Sequence, residues 1–149
     1  MPRFSVKSTL VLAFAVSAAA CGDANAPTGI PVGNYTAISF VTTGSSGQRD
    51  ELAAGSTLNL NLASNGTTSG HLHIAASASS PVFDADMAGT WREDGSVVTV
   101  SQEADTFVKN MPFTLSFDPA KGWILVGEKS FDSVLIQVTL APTAACPAC

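Results

Sequence analysis

The feature that most constrains this sequence is a strict alternation of polar and apolar side chains over residues 57–62, within the segment 56–62. Leu58, Leu60 and Leu62 are separated from one another by single asparagines. Successive side chains of an extended strand point to opposite faces of a sheet, so the leucines share one face and the asparagines share the other. The segment therefore predicts a β-strand with one buried face and one solvated face.

The same period of two recurs along the chain from residue 33 onward, in short segments separated by turns. Asn65-Gly66 is a strong hairpin signal, and Asp94-Gly95 supplies the positive-φ residue that a turn favours. No segment shows a convincing helical period. The predicted strands are 35–43, 56–62, 67–76, 82–92, 96–102, 107–117, 123–128 and 133–140, with residues 44–51 forming a loop.

Alternation also predicts which side chains of each strand point inward. In the first strand, Ile38 and Phe40 are expected to share one face. Gly89 is expected on an inward face, where a glycine permits close approach of a neighbouring strand. Because Pro112 lacks an amide donor, the strand 107–117 is expected to lie at an edge, or to bulge or break near residues 110–112.

About eight strands joined by short loops predict an all-β domain over residues 33–141. Consecutive hairpins favour an antiparallel up-and-down barrel, because eight strands are enough to close a sheet and remove its exposed edges. A β-sandwich of two packed sheets is the alternative.

The first twenty residues have the composition of a secretory signal peptide. Arg3 and Lys7 give a positive start, residues 9–16 form an apolar stretch, and residues 17–20 are all small. The apolar stretch is too short for a permanent membrane-spanning helix, which needs roughly 20 residues. We therefore expect residues 1–20 to be removed on export.

The segment Ala18-Ala19-Ala20-Cys21 resembles the lipobox of bacterial lipoproteins. The resemblance implies that a lipid is attached to Cys21, that residues 21–32 form a tether, and that the protein is anchored in the cell envelope. Gly22 follows the cysteine, which in lipoproteins similar to this one is typical of the outer membrane. The alternative is ordinary cleavage after an A-x-A signal, without lipid.

Two short motifs resemble bacterial lipocalin-like lipoproteins. Gly33-Asn34-Tyr35 is similar to the G-x-W start of lipocalins, and residues 89–97 are similar to a G-T-W, turn and valine-rich hairpin. The resemblance implies a calyx-shaped barrel that holds a small apolar ligand. The residues expected to line its cavity are Ile38, Phe40, Leu60, Ile74, Met87, Trp91, Phe113, Leu115 and Ile136.

The charge of the chain argues against several partners. The whole chain has a formal charge of −5, and loss of Arg3 and Lys7 with the leader leaves five basic against twelve acidic side chains. The remaining basic residues are scattered, so neither a nucleic-acid surface nor a polybasic membrane patch is expected.

No nucleophile elbow, Walker loop or zinc-protease motif occurs, so we expect neither an enzyme nor a cofactor.

Two residue pairs are candidates for metal or thiol chemistry. Cys146 and Cys149 form a C-x-x-C in the tail 142–149, where a terminal disulfide is expected if Cys21 carries the lipid. His71 and His73 share one strand face at a spacing that can chelate Zn²⁺ or Cu²⁺, but no third ligand is evident. A solvated outer face explains these histidines, and equally the pair Asp84 and Asp86.

These patterns leave three hypotheses for function. The first is a non-enzymatic envelope lipoprotein that binds a small hydrophobic molecule in its barrel. The second is a structural or protein-interaction domain whose barrel is filled by its own side chains. The third is metal or thiol sensing through His71, His73, Cys146 and Cys149.

Overall fold

A computed structural model describes residues 32–78, 80–103 and 106–143 of the chain. Within these ranges there are ten β-strands and no helix, which confirms the all-β prediction. In this part of the chain, no helix is long and apolar enough to cross a membrane. The strands are β1 (Gly33–Gly44), β2 (Gly47–Asp50), β3 (Thr57–Leu62), β4 (Thr67–Ile74), β5 (Phe83–Asp86), β6 (Gly89–Asp94), β7 (Val97–Gln102), β8 (Met111–Asp118), β9 (Gly122–Phe131) and β10 (Val134–Pro142).

Eight of these strands close into an antiparallel barrel. The hydrogen-bonded order is β10-β9-β8-β7-β6-β4-β3-β1, and pairing of β10 with β1 closes the ring. The strands β2 and β5 lie outside this ring, β2 on β1 and β5 on β4. The barrel prediction is therefore confirmed, and the sandwich alternative is wrong. Closure of the ring removes the two unpaired edges that an open sheet of these eight strands would present to another chain.

The strand predicted over residues 82–92 is interrupted at Met87. Both of its parts pair with β4 in one continuous register, since β5 sets Asp86 opposite His71 and β6 sets Gly89 opposite Thr68. Between them, the amide of Met87 donates to the carbonyl of Gly70 at 3.0 Å. The predicted alternation of inward and outward side chains therefore holds across the interruption.

The expectation that Ile38 faces inward with Phe40 is wrong. Ala37 pairs with Leu140 and Ser39 pairs with the adjacent Thr139, so β1 carries one extra residue at Ile38. Such a β-bulge shifts the alternation by one position. The side chain of Ile38 is 43% exposed, whereas that of Phe40 is completely buried.

The strand predicted over residues 107–117 begins only at Met111. Residues 107–110 form a turn, in which Asn110 has a left-handed φ of 55° that ends the extended run. Phe107 and Val108 are nevertheless buried. The break predicted near residues 110–112 is confirmed at Asn110. The alternative of an edge position is wrong, because β8 pairs with both β7 and β9. The predicted loop 44–51 also contains the short strand β2, which the sequence pattern did not indicate.

The barrel interior is filled by its own side chains. Phe40, Met87 and Phe113 have no solvent-accessible surface, so no void as large as a water molecule adjoins them. The same buried cluster includes Tyr35, Leu58, Leu60, Leu62, Leu72, Val98, Val100, Met111, Leu125, Ile136, Val138 and Leu140. A filled interior is what a barrel of eight strands is just wide enough to contain.

Two glycines shape this interior. A Cβ at Gly127 would lie 2.7 Å from atoms of Met111 and Phe113, so the missing side chain makes room for two buried ones. A Cβ at Gly89 would overlap the carbonyl oxygen of Ser101 on the neighbouring strand β7. The predicted close approach of a strand at Gly89 is therefore confirmed.

The barrel has two distinct ends, which we name by what lies there. The N-terminal end holds the start of β1 and the hairpins that join β3 to β4, β6 to β7 and β8 to β9. The opposite end, which we call the mouth, holds the hairpins β1–β2 and β9–β10 and the longer connections from β4 to β5 and from β7 to β8.

Candidate functional site

An apolar pocket of about 240 Å³ lies at the mouth. Its walls come from three strands and from the turn between β7 and β8, so the pocket exists only because the closed barrel gathers these segments. The lining side chains are Leu72 and Ile74 of β4, Phe83 of β5, Phe131 of β9, and Thr106 and Phe107 of the turn. Five of the six are hydrophobic, as expected of a site for a largely apolar molecule.

The ring of Phe107 joins this pocket to the core. It packs against the buried ring of Phe40 with centroids 5.4 Å apart and planes tilted by 45°. Phe83 forms the outer wall and is 46% exposed, so the pocket is bounded by a buried aromatic side chain and by one that borders solvent. Aromatic walls of this kind give a ligand a large apolar contact area.

Three of the described residues carry buried, uncharged polar atoms without partners, and one of them, Thr106, lines the pocket at the mouth. The hydroxyl of Thr106 is buried and has no hydrogen-bond partner, although Thr106 lines the pocket. Both amide atoms of Gln102 are also buried without partners, and so is the hydroxyl of Thr68. Gln102 and Thr68 are the two partners of Gly89 on its flanking strands. Burying such groups without a hydrogen bond costs roughly 1–3 kcal/mol each. Of the three residues, Thr106 is the one that lines the pocket.

Lys129 is a cation near the mouth, and its sequence context is that of an ordinary strand residue. It lies on β9 between Gly127 and Phe131 on the inward-facing series and is half-buried. Its ammonium group donates to the backbone carbonyl of Lys109. This bond ties the turn that carries Phe107 to strand β9, and so supports one wall of the pocket.

A buried carboxylate organises the neighbouring rim of the mouth. The side chain of Glu51 accepts hydrogen bonds from the hydroxyls of Thr42, at 2.8 Å, and Ser56, at 3.0 Å, and lies 3.5 Å from a guanidinium nitrogen of Arg49. Arg49 also donates to the carbonyls of Ala75 and Ala76 at 3.4 and 3.2 Å. The network joins β1, β2 and the segment between β2 and β3 to the residues that follow β4.

Four residues predicted as two separate pairs meet on the outer face. Because β4 and β5 are antiparallel neighbours, His71 lies opposite Asp86 and His73 lies opposite Asp84. One oxygen of Asp84 lies 2.7 Å from Nδ1 of His73 and 3.1 Å from Nε2 of His71. Nδ1 of His71 lies 3.3 Å from Asp86. We call these four residues the His–Asp cluster.

The carboxylates of the His–Asp cluster favour the charged imidazole. Hydrogen bonds to Asp84 first, and to Asp86 second, raise the pKa of His71 above its ordinary value. Reciprocally, hydrogen bonds from His73 and His71 lower the pKa of Asp84. Both groups are exposed, so solvent screens the interaction. The cluster is therefore a protonation-dependent contact between β4 and β5.

The geometry of the described residues does not supply a site for the metal-binding hypothesis. Within the described ranges, no group of three or more His, Cys, Asp or Glu side chains is arranged to hold a metal ion. In the His–Asp cluster, the imidazole nitrogens point at carboxylate oxygens. Cys21, predicted to carry a lipid, and Cys146 and Cys149, predicted to form a disulfide, lie outside the described residues.

The nine residues predicted to line a central cavity do not lie together around one cavity. Phe40, Leu60, Met87, Phe113 and Ile136 are buried in the core, and Trp91 and Leu115 pack partly buried against it. Ile74 lines the mouth pocket, and Ile38 faces outward. Ile74 is therefore the one predicted residue that lines the pocket. The other lining residues come together only through the register of the strands and the path of residues 106–110.

The closed antiparallel barrel of eight strands is compatible with a lipocalin-like fold. No protein-family model matches the sequence, and no significant match was found among curated proteins or solved structures.

Proposed function

We propose that this protein is a non-enzymatic, exported lipoprotein of the cell envelope that binds a small, largely apolar molecule at the mouth of its barrel. The leader and the lipobox-like Ala18-Ala19-Ala20-Cys21 support export and a lipid anchor, with the outer membrane as the proposed location. The mouth pocket supports binding. No catalytic group is needed for this activity.

The observation that carries the proposal is the pairing of five hydrophobic walls with one buried, unpartnered hydroxyl on Thr106. The walls favour an apolar body, and the hydroxyl favours one uncharged hydrogen-bonding group on the ligand. A volume of about 240 Å³ is slightly below the roughly 300–1,000 Å³ of ordinary ligand sites, so the bound part of the ligand is small. The ligand occupies the mouth rather than the barrel axis, where the core side chains are packed together.

The filled core favours one other candidate function. A barrel whose central side chains have no accessible surface offers no cavity along its axis, as expected of a domain that acts as a rigid scaffold or presents its surface to a protein partner. This candidate makes the mouth pocket incidental. It predicts that substitutions in the pocket leave the behaviour of the protein towards small molecules unchanged.

Titration with the neutral apolar fluorophore N-phenyl-1-naphthylamine tests the proposal. We expect saturable binding that Ile74→Phe weakens at least tenfold, because the larger side chain fills the pocket. Val126→Phe is the matched control, since Val126 is an exposed strand residue of β9. Phe83→Ser, at an exposed wall position, is a second pocket variant that does not threaten folding.

The outcome separates the two candidates. Weaker binding by both pocket variants, with the control unchanged, supports a ligand at the mouth. Equal binding by all four proteins, each shown to be folded by circular dichroism, contradicts it and favours the scaffold.

A further inference from the structure

An aromatic pair of one exposed ring, Phe117, and one half-buried ring, Trp123, lies at the N-terminal end of the barrel. Phe117 and Trp123 face each other across the β8–β9 hairpin, with ring centroids 5.2 Å apart and an interplanar angle of 63°. Phe117 is 59% exposed. Phe117 continues the inward-facing series of β8 but lies beyond the core, so core packing does not account for a large apolar side chain at this position.

The hairpin that carries this pair is well held. Asp118 accepts hydrogen bonds from the amides of Ala120 and Lys121 at 2.8 and 3.1 Å, and its other oxygen lies 3.3 Å from the ammonium of Lys121. These contacts close the turn and neutralise both of its charges. The pair is therefore presented on a hairpin of fixed shape without a net charge of its own.

The start of the domain lies close to this hairpin. Tyr35 pairs with Pro142, while Leu140 pairs with both Ala37 and Leu125. The strand β9 is therefore separated from β1 by β10 alone, which places them about 10 Å apart at the usual strand spacing. Val32, which is 50% exposed, precedes β1 at this same end.

We propose that the N-terminal end of the barrel rests on the membrane that holds the lipid anchor, with Phe117 and Trp123 at the level of the lipid headgroups. This inference rests on the anchoring part of the proposed function. Ten residues separate Cys21 from Val32, and the eleven steps of chain between them reach at most roughly 40 Å. A domain confined so close to a bilayer needs only weak contacts to settle on it, because its effective concentration there is high.

The chemistry of this end selects the kind of lipid surface. Aromatic side chains, tryptophan above all, favour the interface between headgroups and acyl chains. Glu93 and Asp94, at the neighbouring β6–β7 hairpin, disfavour an anionic surface. The surface that fits is therefore a bilayer of zwitterionic lipids. In this orientation the mouth pocket faces away from the anchoring membrane, so ligand enters from the aqueous side.

Hydrogen exchange on the anchored, otherwise unaltered protein tests the contact. The mature chain is coupled at Cys21 to a lipid maleimide, with Cys146→Ser and Cys149→Ser preventing coupling elsewhere, and is bound to phosphatidylcholine vesicles. We expect slower exchange over residues 117–123 than in the same chain without lipid, and no change over residues 80–83 at the mouth. Equal exchange in both states, or protection of the mouth instead, overturns the inference.

Fluorescence provides a second, independent readout. The chain contains two tryptophans, so Trp91→Phe leaves Trp123 as the reporter. Phosphatidylcholine brominated near the headgroup end of its acyl chains should quench this reporter at least twofold. Phe117→Ser should reduce the quenching, and Phe83→Ser, the same change at the mouth, should not. Unquenched Trp123 on the anchored protein overturns the inference.

The coupled lipid separates this test from the question of natural acylation. If the protein from its own host carries no lipid on Cys21, the anchoring part of the proposed function fails, while the artificial anchor still measures whether this end contacts a bilayer. If the host protein is acylated but the hairpin shows neither protection nor quenching, only the orientation fails.

Addition of phosphatidylglycerol to the vesicles should weaken the contact, and a stronger contact would contradict the assigned lipid class.

Discussion

The rings of Phe40 and Phe107 pack together at a centroid distance of 5.4 Å, and through this contact the turn between β7 and β8 completes the core at the mouth. Phe40 belongs to β1, whereas Phe107 lies outside any strand. The pair therefore joins the barrel wall to the segment that forms one side of the proposed ligand site. Phe107 thus belongs both to the core and to the wall of the proposed ligand site.

Phe107→Ala should destabilise the protein by about 3 kcal/mol, because it removes a buried aromatic side chain and leaves a cavity. Urea unfolding followed by circular dichroism measures the change. The control is Phe83→Ala, which removes the same side chain from a position that is 46% exposed and should cost less than about 1 kcal/mol. A loss below about 1 kcal/mol for Phe107→Ala would show that Phe107 is not part of the core.

Thr106→Val should separate stability from binding. The substitution replaces a buried hydroxyl without a partner by a methyl group of similar shape, so we expect the free protein to gain about 1 kcal/mol of stability. If that hydroxyl bonds a ligand, the variant should bind hydrogen-bonding ligands more weakly while it retains purely apolar ones. A large loss of stability in thermal unfolding would mean that the hydroxyl is already satisfied in the free protein.

Glu51→Ala should cost about 3 kcal/mol in the free energy of unfolding. It removes the acceptor shared by Thr42 and Ser56 and leaves the guanidinium of Arg49 without its carboxylate. Glu128→Ala is the control, because Glu128 is exposed and bonds only to Gln137 among the contacts described. The control should change stability by less than about 0.5 kcal/mol. A comparable effect of the two substitutions in urea unfolding would contradict the organising role of Glu51.

The His–Asp cluster should make the contact between β4 and β5 depend on pH. The raised pKa of His71 means that its contribution is present below the ordinary value of about 6.5 and is lost as pH rises through the raised value. The lowered pKa of Asp84 means that its contribution is present above about 4 and is lost as pH falls through the lowered value. The contact should therefore be strongest between these limits.

Nuclear magnetic resonance titration of the imidazole signals checks this assignment. The midpoint for His71 should lie above that of a free histidine. Asp84→Asn should lower it more than Asp86→Asn does, because the hydrogen bond to Asp84 is the larger cause of the shift. A larger effect of Asp86→Asn would reverse the roles of the two carboxylates.

Most of the barrel was predictable because alternation reports burial directly. The leucines of β3, and Val98 and Val100 of β7, lie on the inner face as the pattern predicts. The bulge at Ile38 was not predictable, since one extra residue in a strand leaves no mark in local composition. The pattern also could not show that Phe107 and Val108 are buried in a turn, because a turn has no fixed period.

The candidate site was less predictable than the fold, because it depends on which strands are neighbours. His71 with His73, and Asp84 with Asp86, each stand out as a pair in the sequence, but only the register of β4 against β5 joins them. The pocket likewise needs Ile74, Phe107 and Phe131 to meet at one end of a closed barrel. The alternation of β9 places Lys129 on the inward-facing series. Its hydrogen bond to the turn between β7 and β8 could not be predicted, because that contact depends on the closed barrel.

The most direct test of ligand binding is native mass spectrometry of the protein purified from its own host after gentle release from the membrane. The account predicts a population carrying one small, uncharged, largely apolar molecule, which Ile74→Phe abolishes and Val126→Phe retains. Repeated detection of the ligand-free mass alone, or a bound molecule that survives Ile74→Phe unchanged, would contradict a ligand site at the mouth of the barrel.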